Sequence, residues 1–455
     1  KEAITLNVSN LVTPGGKERT FPGHLLIVII FQTQLFLKKY RFMKIVCISP
    51  WFSEGMGYSE NMLPKTLAKT GSEVHLVTST AQIYYNSPNY AKVYEPFIGP
   101  NIVKSETKMV DGYTLHRLPY FKNRKKNGLP GIRNLYQKLE ELNTDIIQTF
   151  DIDLDSTHEA AKYCQKHNRS LFTECHMHAS VFWKGDKKTF RERLKILMNR
   201  IDIRLMYINS ATKICYAIAP DVEDIAAVVY HVPQNKIRLQ SLGVDTDLFH
   251  PSLPGSEQPT RQELRSKLGF EESDIVCIYT GRFTKDKDPH CLAEAIHILN
   301  EKNLPFKGLF VGNGTEDDIN FIKNKQGCTI SPFVPVKDLP PYYWVADIGV
   351  WPREESTSQI DALACGLPLI LSNQIKVMER VEGNGLLFKE GDPKDLSNKI
   401  IETDGSTWLK KSTQQLFLGN DCKKKNGRLY SFPERIMRQL KLTTGMGYSS
   451  KCYGC

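Results

Sequence analysis

The sequence predicts an α/β protein of two Rossmann-like domains facing a central cleft, and three observations predict it. The chain's 455 residues exceed the roughly 250 to 300 that one hydrophobic core supports. Short apolar runs alternate with longer amphipathic stretches, the rhythm of parallel strands covered by helices. After a stretch rich in Pro, Gly and Ser, His250 to Pro259, that rhythm restarts, which marks an exposed joint. The expected division is an upstream extension (1–42), a first Rossmann-like domain (43–240), a second (241–402) and an irregular tail (403–455).

Met43 opens MKIVCISPWF, and Lys44 to Ser49 reads as the first strand. Gly55, Met56 and Gly57 follow it directly and precede a helix over about Tyr58 to Thr70. Glycines there let backbone amides and a helix amino terminus approach an anionic or sugar-like ligand, although two glycines serve a tight turn equally well. EVHLVTS (73–79) is the next strand, and TDIIQTF (144–150) leads into a helix ending near His167. Asp151, Asp153 and Asp155 alternate as in a metal-binding loop. Ser156, however, stands where a calcium loop needs Gly, and Lys162 where it needs a bidentate Glu, so the stretch reads as a polar loop at a strand terminus. SLFTECH (170–176) is a strand whose end carries His176 and His178; spaced at i and i+2 they could join a metal set, but no third ligand is evident. TKICYAIA and DVEDIAAVVYHV close the first domain as strand and helix. In the second, DIVCIYTG (274–281) precedes a helix through Asn300, and FKGLFVGNG, CTISPFV and ADIGVWP are further strands. Beyond Glu402 the periodicity dissolves, and no structure is expected there.

Hydrophobic residues at 41% and charged residues at 24% exclude global disorder. The net charge of +10 is concentrated locally, in Lys122, Arg124, Lys125 and Lys126 and in Lys184, Lys187, Lys188, Arg191, Arg193 and Lys195. Such runs suit phosphates, anionic lipid headgroups or nucleic acid, or simply solvated faces. No nucleic-acid-binding module is recognisable, so nucleic acid is not an expected partner. Eleven cysteines without regular spacing point to a reduced, cytoplasmic protein, and Cys452 and Cys455 form a lone CxxC with no second pair at zinc spacing. The apolar run His24 to Phe31 is too short to span a bilayer and admits the core of a signal or an interfacial anchor.

Four motifs carry the functional reading: SLGVDTDLFHP (Ser241 to Pro251), GRFTKDKDP (Gly281 to Pro289), VGNGTEDD (Val311 to Asp318) and PREESTSQIDALACGLPLILS (Pro352 to Ser372). Their order and spacing resemble the retaining GT-B glycosyltransferases of the glycogen-synthase-like, "glycosyl transferases group 1" type. The resemblance covers about residues 43–402, and GNGLLFKEGDPKDLSNKI (Gly383 to Ile400) fits it too. It implies a first domain for the acceptor and a second for the nucleotide-sugar donor. It also implies a nucleoside-diphosphate sugar as donor, no further cofactor, no bound metal and retention at the anomeric carbon.

Carried over residue by residue, the resemblance makes Arg282 and Lys287 the cations that hold the diphosphate, matching the need for positive charge at a departing phosphate. Gly281 and Gly312 shape that loop region, and Ser356, Thr357 and Ser358 offer hydroxyls and amides to phosphate or sugar. Asp361 would bind ribose hydroxyls. Gly55 and Gly57 would approach the donor from the first domain, and His178 or His176 would touch the sugar. Two departures stand out. Relatives commonly have Gly where Asp288 stands, which brings a negative charge toward the phosphates. The first acid of their acidic pair falls on Arg353, which leaves Glu355 or Glu354 to orient the sugar. The expected activity is sugar transfer to an unidentified lipid, glycan or small-molecule hydroxyl. The basic patches permit an acceptor at the inner face of a membrane. The alternative is a catalytically impaired sugar-nucleotide binder or scaffold, for which the altered acidic motif and the irregular tail speak.

Overall fold

The structure, a computed structural model, describes residues 43–122, 129–182, 189–252 and 261–405. The upstream extension, the run His24 to Phe31, most of the Pro/Gly/Ser-rich joint, the terminal CxxC and the tail past 405 lie outside the described residues.

The first sheet has eight strands. Its members are β1 (Lys44–Ser49), β2 (Glu73–Ser79), β3 (Glu106–Val110), β4 (Tyr113–Leu118), β7 (Ile146–Thr149), β8 (Ser170–Cys175), β9 (Thr212–Ala217) and β10 (Ile237–Leu239). They lie in the order β10-β9-β8-β7-β1-β2-β4-β3. A small antiparallel pair, β5 (Tyr120–Lys122) and β6 (Pro130–Ile132), stands beside it. KIVCIS is an unbroken apolar run because β1 lies between β2 and β7, buried from Ile45 to Ser49. The sheet is not wholly parallel as the sequence rhythm suggests: β3 runs antiparallel to β4. Asp111 and Gly112 join them with φ of +44° and +85°, the double left-handed turn whose twist matches a tight hairpin.

The second sheet is parallel throughout: β11 (Ile275–Phe283), β12 (Phe306–Gly314), β13 (Cys328–Ser331), β14 (Ile348–Trp351), β15 (Leu369–Ser372) and β16 (Gly385–Phe388), in the order β13-β12-β11-β14-β15-β16. Each sheet has its own hydrophobic core, with Val46, Ile147 and Leu171 in one and Ile278, Phe310 and Ile370 in the other. Val377 of the second lobe packs into the first lobe's core.

In both sheets the chain leaves the centre in opposite directions, at β1/β7 and at β11/β14, and such switch points open a crevice at the carboxyl ends of the strands. The two crevices meet. Gly55 O accepts from Val336 N–H at 2.9 Å, the rings of Phe97 and Phe333 lie 5.2 Å apart, and Lys65 Nζ reaches Asp245 at 2.6 Å. The last described helix, Pro393–Gly405, packs on Pro289–Glu301.

Candidate active site

Between the lobes lies a cleft of about 380 Å³ lined by residues of both. The second lobe supplies its charged wall. Arg282 sits on β11 itself, which runs two residues past Gly281, and not beyond the strand end as the sequence suggests. Its guanidinium lies 5.5 Å from the Tyr84 ring centroid and hydrogen-bonds Tyr94, so two first-lobe aromatics hold it at the cleft. Lys287 follows in the β11–helix loop, with Nζ 2.9 Å from Glu354 Oε2 and 3.2 Å from the Glu355 carbonyl.

Behind these cations the helix Thr357–Ala364 points its amino terminus into the cleft through Ser356, Thr357 and Ser358. No side chain caps it, so its first amides are available to an anion. The turn is pinned to β11: Ser358 Oγ donates to Thr280 O at 3.1 Å and lies 2.7 Å from Ser356 Oγ, while Trp351 Nε1 also reaches Thr280 O at 3.1 Å. Asp361, one helical turn on, is 5% exposed, and burial holds its carboxyl well above the ordinary range although Arg380 pulls the other way.

The first lobe contributes Gly55, Met56, Gly57 and Tyr58 after β1, then Tyr84, Tyr94, Phe97 and Ile98 from the segment after β2. A Cβ on Gly57 would come within 2.9 Å of Val336 Cγ2, so this loop is glycine-bearing because the second lobe presses on it. His178, past β8, lines the cleft with Nδ1 3.1 Å from Asp221 Oδ2. The carboxylate fixes the ring orientation and leaves Nε2 for a ligand. Asp221 is itself held by the Ala179 N–H at 3.0 Å, near the start of helix Pro220–Val228.

His176 does not line the cleft and joins a partly buried titratable group instead. Its Nε2 lies 2.7 Å from Glu174 Oε2, and Gln148 Nε2 donates to the other Glu174 oxygen at 3.1 Å. Desolvation would lower the His176 pKa, but Glu174, with Asp151 and Glu60 nearby, raises it to about 9. Desolvation lifts Glu60 to about 7 and Asp151 to about 6. All three folded values exceed the unfolded ones, so each contribution to stability is present at low pH and is lost as pH rises through the folded value. Together these three groups make stability fall as pH rises between about pH 4 and pH 9, opposed below the ordinary histidine value of 6.5 by buried His116, which burial lowers to about 4. Glu174→Gln should remove the upper part of that slope, from the ordinary histidine value of 6.5 to about 9. Urea unfolding at stepped pH checks the slope, and a histidine-ring NMR titration of His176 checks its origin.

The structure thus brings Gly55, Gly57, His178, Gly281, Arg282, Lys287, Gly312, Glu355, Ser356, Thr357, Ser358 and Asp361 to one cleft. Glu354 is not among the residues facing it: with φ of +42° its backbone turns the carboxylate to Lys287. Glu355 does line the cleft, and its Oε1 accepts from Lys376 N–H at 2.5 Å. Asp288 does not bring its charge to the phosphate region. At φ of +53° it begins the helix Pro289–Glu301, and its carboxylate lies 4.0 Å from Arg353, which also pairs with Glu390 at 3.1 Å. The two departures from the family pattern therefore neutralise each other in space. Asp153 and Asp155 both bind Arg204, at 2.5 and 2.8 Å, as a loop clamp. Among the described residues no group of three or more His, Cys, Asp and Glu is placed to hold a metal ion.

Sequence reasoning missed Arg380, 5% exposed, which donates to Ser356 O at 3.0 Å and to Gln359 Oε1 and so props the helix start. Its signal was an Arg set between Val377 and Val381, an apolar pair that had to turn inward. It also missed Tyr84, Tyr94, Phe97 and Phe333, which follow no periodic pattern.

Residues 274–403 match the family model described as "Glycosyl transferases group 1". "Spore coat protein SA" of Bacillus subtilis (strain 168) is 29% identical over 185 residues, 37% of this chain and 49% of that protein. The chain spans about half the length of the curated relatives it matches first. Among solved structures, sucrose-phosphate synthase from Thermosynechococcus elongatus superposes with a TM-score of 0.60 at 18% identity, covering 89% of this chain and 99% of that one. Anabaena HepE in complex with UDP-glucose superposes with a TM-score of 0.60 at 16% identity, with 89% and 99% covered. The fold is GT-B.

Proposed function

We propose that this chain is a glycosyltransferase of the group 1 type, moving a sugar from a nucleoside-diphosphate donor to an acceptor hydroxyl. One observation carries the reading: Arg282, Lys287, the open amino terminus of helix Thr357–Ala364 and buried Asp361 line one interlobe cleft. Two cations and a helix terminus can neutralise a departing diphosphate, the role a divalent cation would otherwise fill, so the reading includes transfer without a metal. Asp361 and Arg380 lie deeper on the same wall and suit ribose hydroxyls. A carboxylate accepts hydrogen bonds from two hydroxyls, and burial raises the pKa of Asp361 toward the form that can also donate. His178 faces this wall from the acceptor lobe, where it can meet the sugar.

The reading further includes retention at the anomeric carbon. The acceptor oxygen forms its bond on the face the diphosphate leaves, the bond to the phosphate oxygen breaks, and that oxygen takes the acceptor's proton. Closure of the lobes over the cleft excludes the water that would hydrolyse the donor.

A thermal-shift panel of UDP-, GDP- and ADP-sugars tests the premise. At about 100 times its Kd a true donor stabilises by about 2.7 kcal/mol, whereas a panel without any shift removes the donor assignment. The stabilising donor is then followed for sugar release with EDTA present. Release sensitive to EDTA would refute metal-independent transfer, and binding with no release from any donor would return the impaired-binder alternative. The anomeric configuration of the product, read by NMR, decides retention.

A further inference from the structure

The helix Phe190–Arg200 is amphipathic in the inverted sense. Phe190, Leu194, Leu197, Met198 and Ile201 recur at i, i+4, i+7, i+8 and i+11, the spacing of a single helical face. That face points to solvent: Phe190 is 80% exposed and the other four between 46% and 64%. The opposite face is the one that holds the fold. Asn199 Nδ2 donates to Val229 O at 3.0 Å, His231 Nε2 bonds Ile196 O at 2.9 Å, and Ile196 packs on the first lobe's core. The next helix, Ile203–Ala211, extends the apolar surface with Ile203 and Met206, which are 80% and 58% exposed. Monomeric proteins rarely present a contiguous apolar stripe of this kind without a use for it.

The charge around the stripe says what covers it. Arg191 flanks it on one side and Arg193 and Arg200 on the other, all exposed. The acids of the same stretch are consumed by the backbone: Glu192 closes a capping box with Thr189, and Asp202 caps the second helix. An apolar strip flanked on both sides by cations complements an anionic bilayer, with the side chains entering the acyl boundary and the guanidinium groups rising to the headgroups. A protein partner would more often pair such a rim with acids. The eleven-residue helix is about 16 Å long, too short to cross a hydrocarbon core of about 30 Å, so it can only lie in the interface plane.

We infer that the helix pair Phe190–Arg200 and Ile203–Ala211 docks the chain on an anionic lipid surface. The face belongs to the lobe that carries His178. The chain passes from β8 through His178 to Phe182, whose ring meets Tyr230 at 5.9 Å, beside the Val229 and His231 contacts that hold the helix. Docking here puts the lobe that carries His178 on the bilayer. The inference stands apart from the sugar-transfer reading, because its test uses no donor.

The full chain is floated with phosphatidylcholine vesicles with and without phosphatidylglycerol. Binding is expected to the anionic vesicles and to fall as salt rises. Leu194→Glu/Leu197→Glu should abolish it, and Arg193→Gln/Arg200→Gln should weaken it roughly 30-fold, with melting temperatures unchanged because all four side chains are exposed. Wild-type protein that stays unbound, or a Leu194→Glu/Leu197→Glu protein that binds as well as wild type, overturns the inference. So does light scattering that shows a lipid-free dimer reduced to monomer by the same pair of changes, since the stripe would then be covered by a second copy of the chain.

Discussion

Arg282→Ala and Lys287→Ala are each expected to lower kcat/KM for sugar transfer by on the order of 10² to 10³, the usual cost of removing one preorganised stabiliser of developing charge. The fold should survive both changes. Arg282 is 40% exposed at its side chain, and the partner of Lys287, Glu354, is 48% exposed, so solvent screens that pair and its loss costs little stability. Glu354 gives the experiment an opposite sign. Its carboxylate pairs with the Lys287 ammonium at 2.9 Å, so a diphosphate held by Lys287 has to compete with it. Glu354→Gln should therefore lower the KM for donor while leaving kcat near wild type. A mere structural role for Lys287 would predict that Glu354→Gln and Lys287→Ala behave alike. Retention of full activity in both alanine variants would remove the diphosphate clamp and the proposed transfer with it.

The parts of the molecule that could be read from sequence are those where burial leaves a local imprint. β1, β2, β8 and β12 match apolar runs to the residue or nearly so, because strands covered on both faces can hold little else. The hairpin of β3 and β4 left no such imprint: β3 lies on the sheet edge, with Glu106, Thr107 and Met109 exposed, and its ETKMV contains no apolar run. Helical periodicity in 190–201 was equally mute about direction, since a 3.6-residue repeat says that one face is apolar and not which way it points. At the site, Arg282, Lys287 and Asp361 were legible because each belongs to a motif with its own strand or helix. Arg353 read as a damaged acidic pair. Its compensation by Asp288 and Glu390 joins three separate loops, and no local pattern encodes that proximity.

Gly312→Ala is expected to be the most damaging single methyl group in the second lobe. Gly312 pairs with Gly281 across β12 and β11, and a Cβ there would lie 1.8 Å from the Gly281 carbonyl oxygen and 2.9 Å from its carbonyl carbon. Both are backbone atoms of the central strand pair, so no rotamer change relieves the clash. The strands must separate at the point where Arg282 is anchored. Overpacking of a rigid core costs about 1 to 3 kcal/mol and occasionally more, and this site belongs at the upper end because the obstruction is main chain. Gly383→Ala is the control: φ is +80° there, but nothing lies within 4 Å of the added methyl, so only the conformational cost of about 1 to 2 kcal/mol remains. Urea titration should rank Gly312→Ala below Gly383→Ala in midpoint. Nucleotide-induced thermal stabilisation should be lost in Gly312→Ala and kept in Gly383→Ala. Equal midpoints would mean that β11 and β12 do not approach as closely as their paired glycines allow, and the placement of Arg282 at the cleft would lose its support.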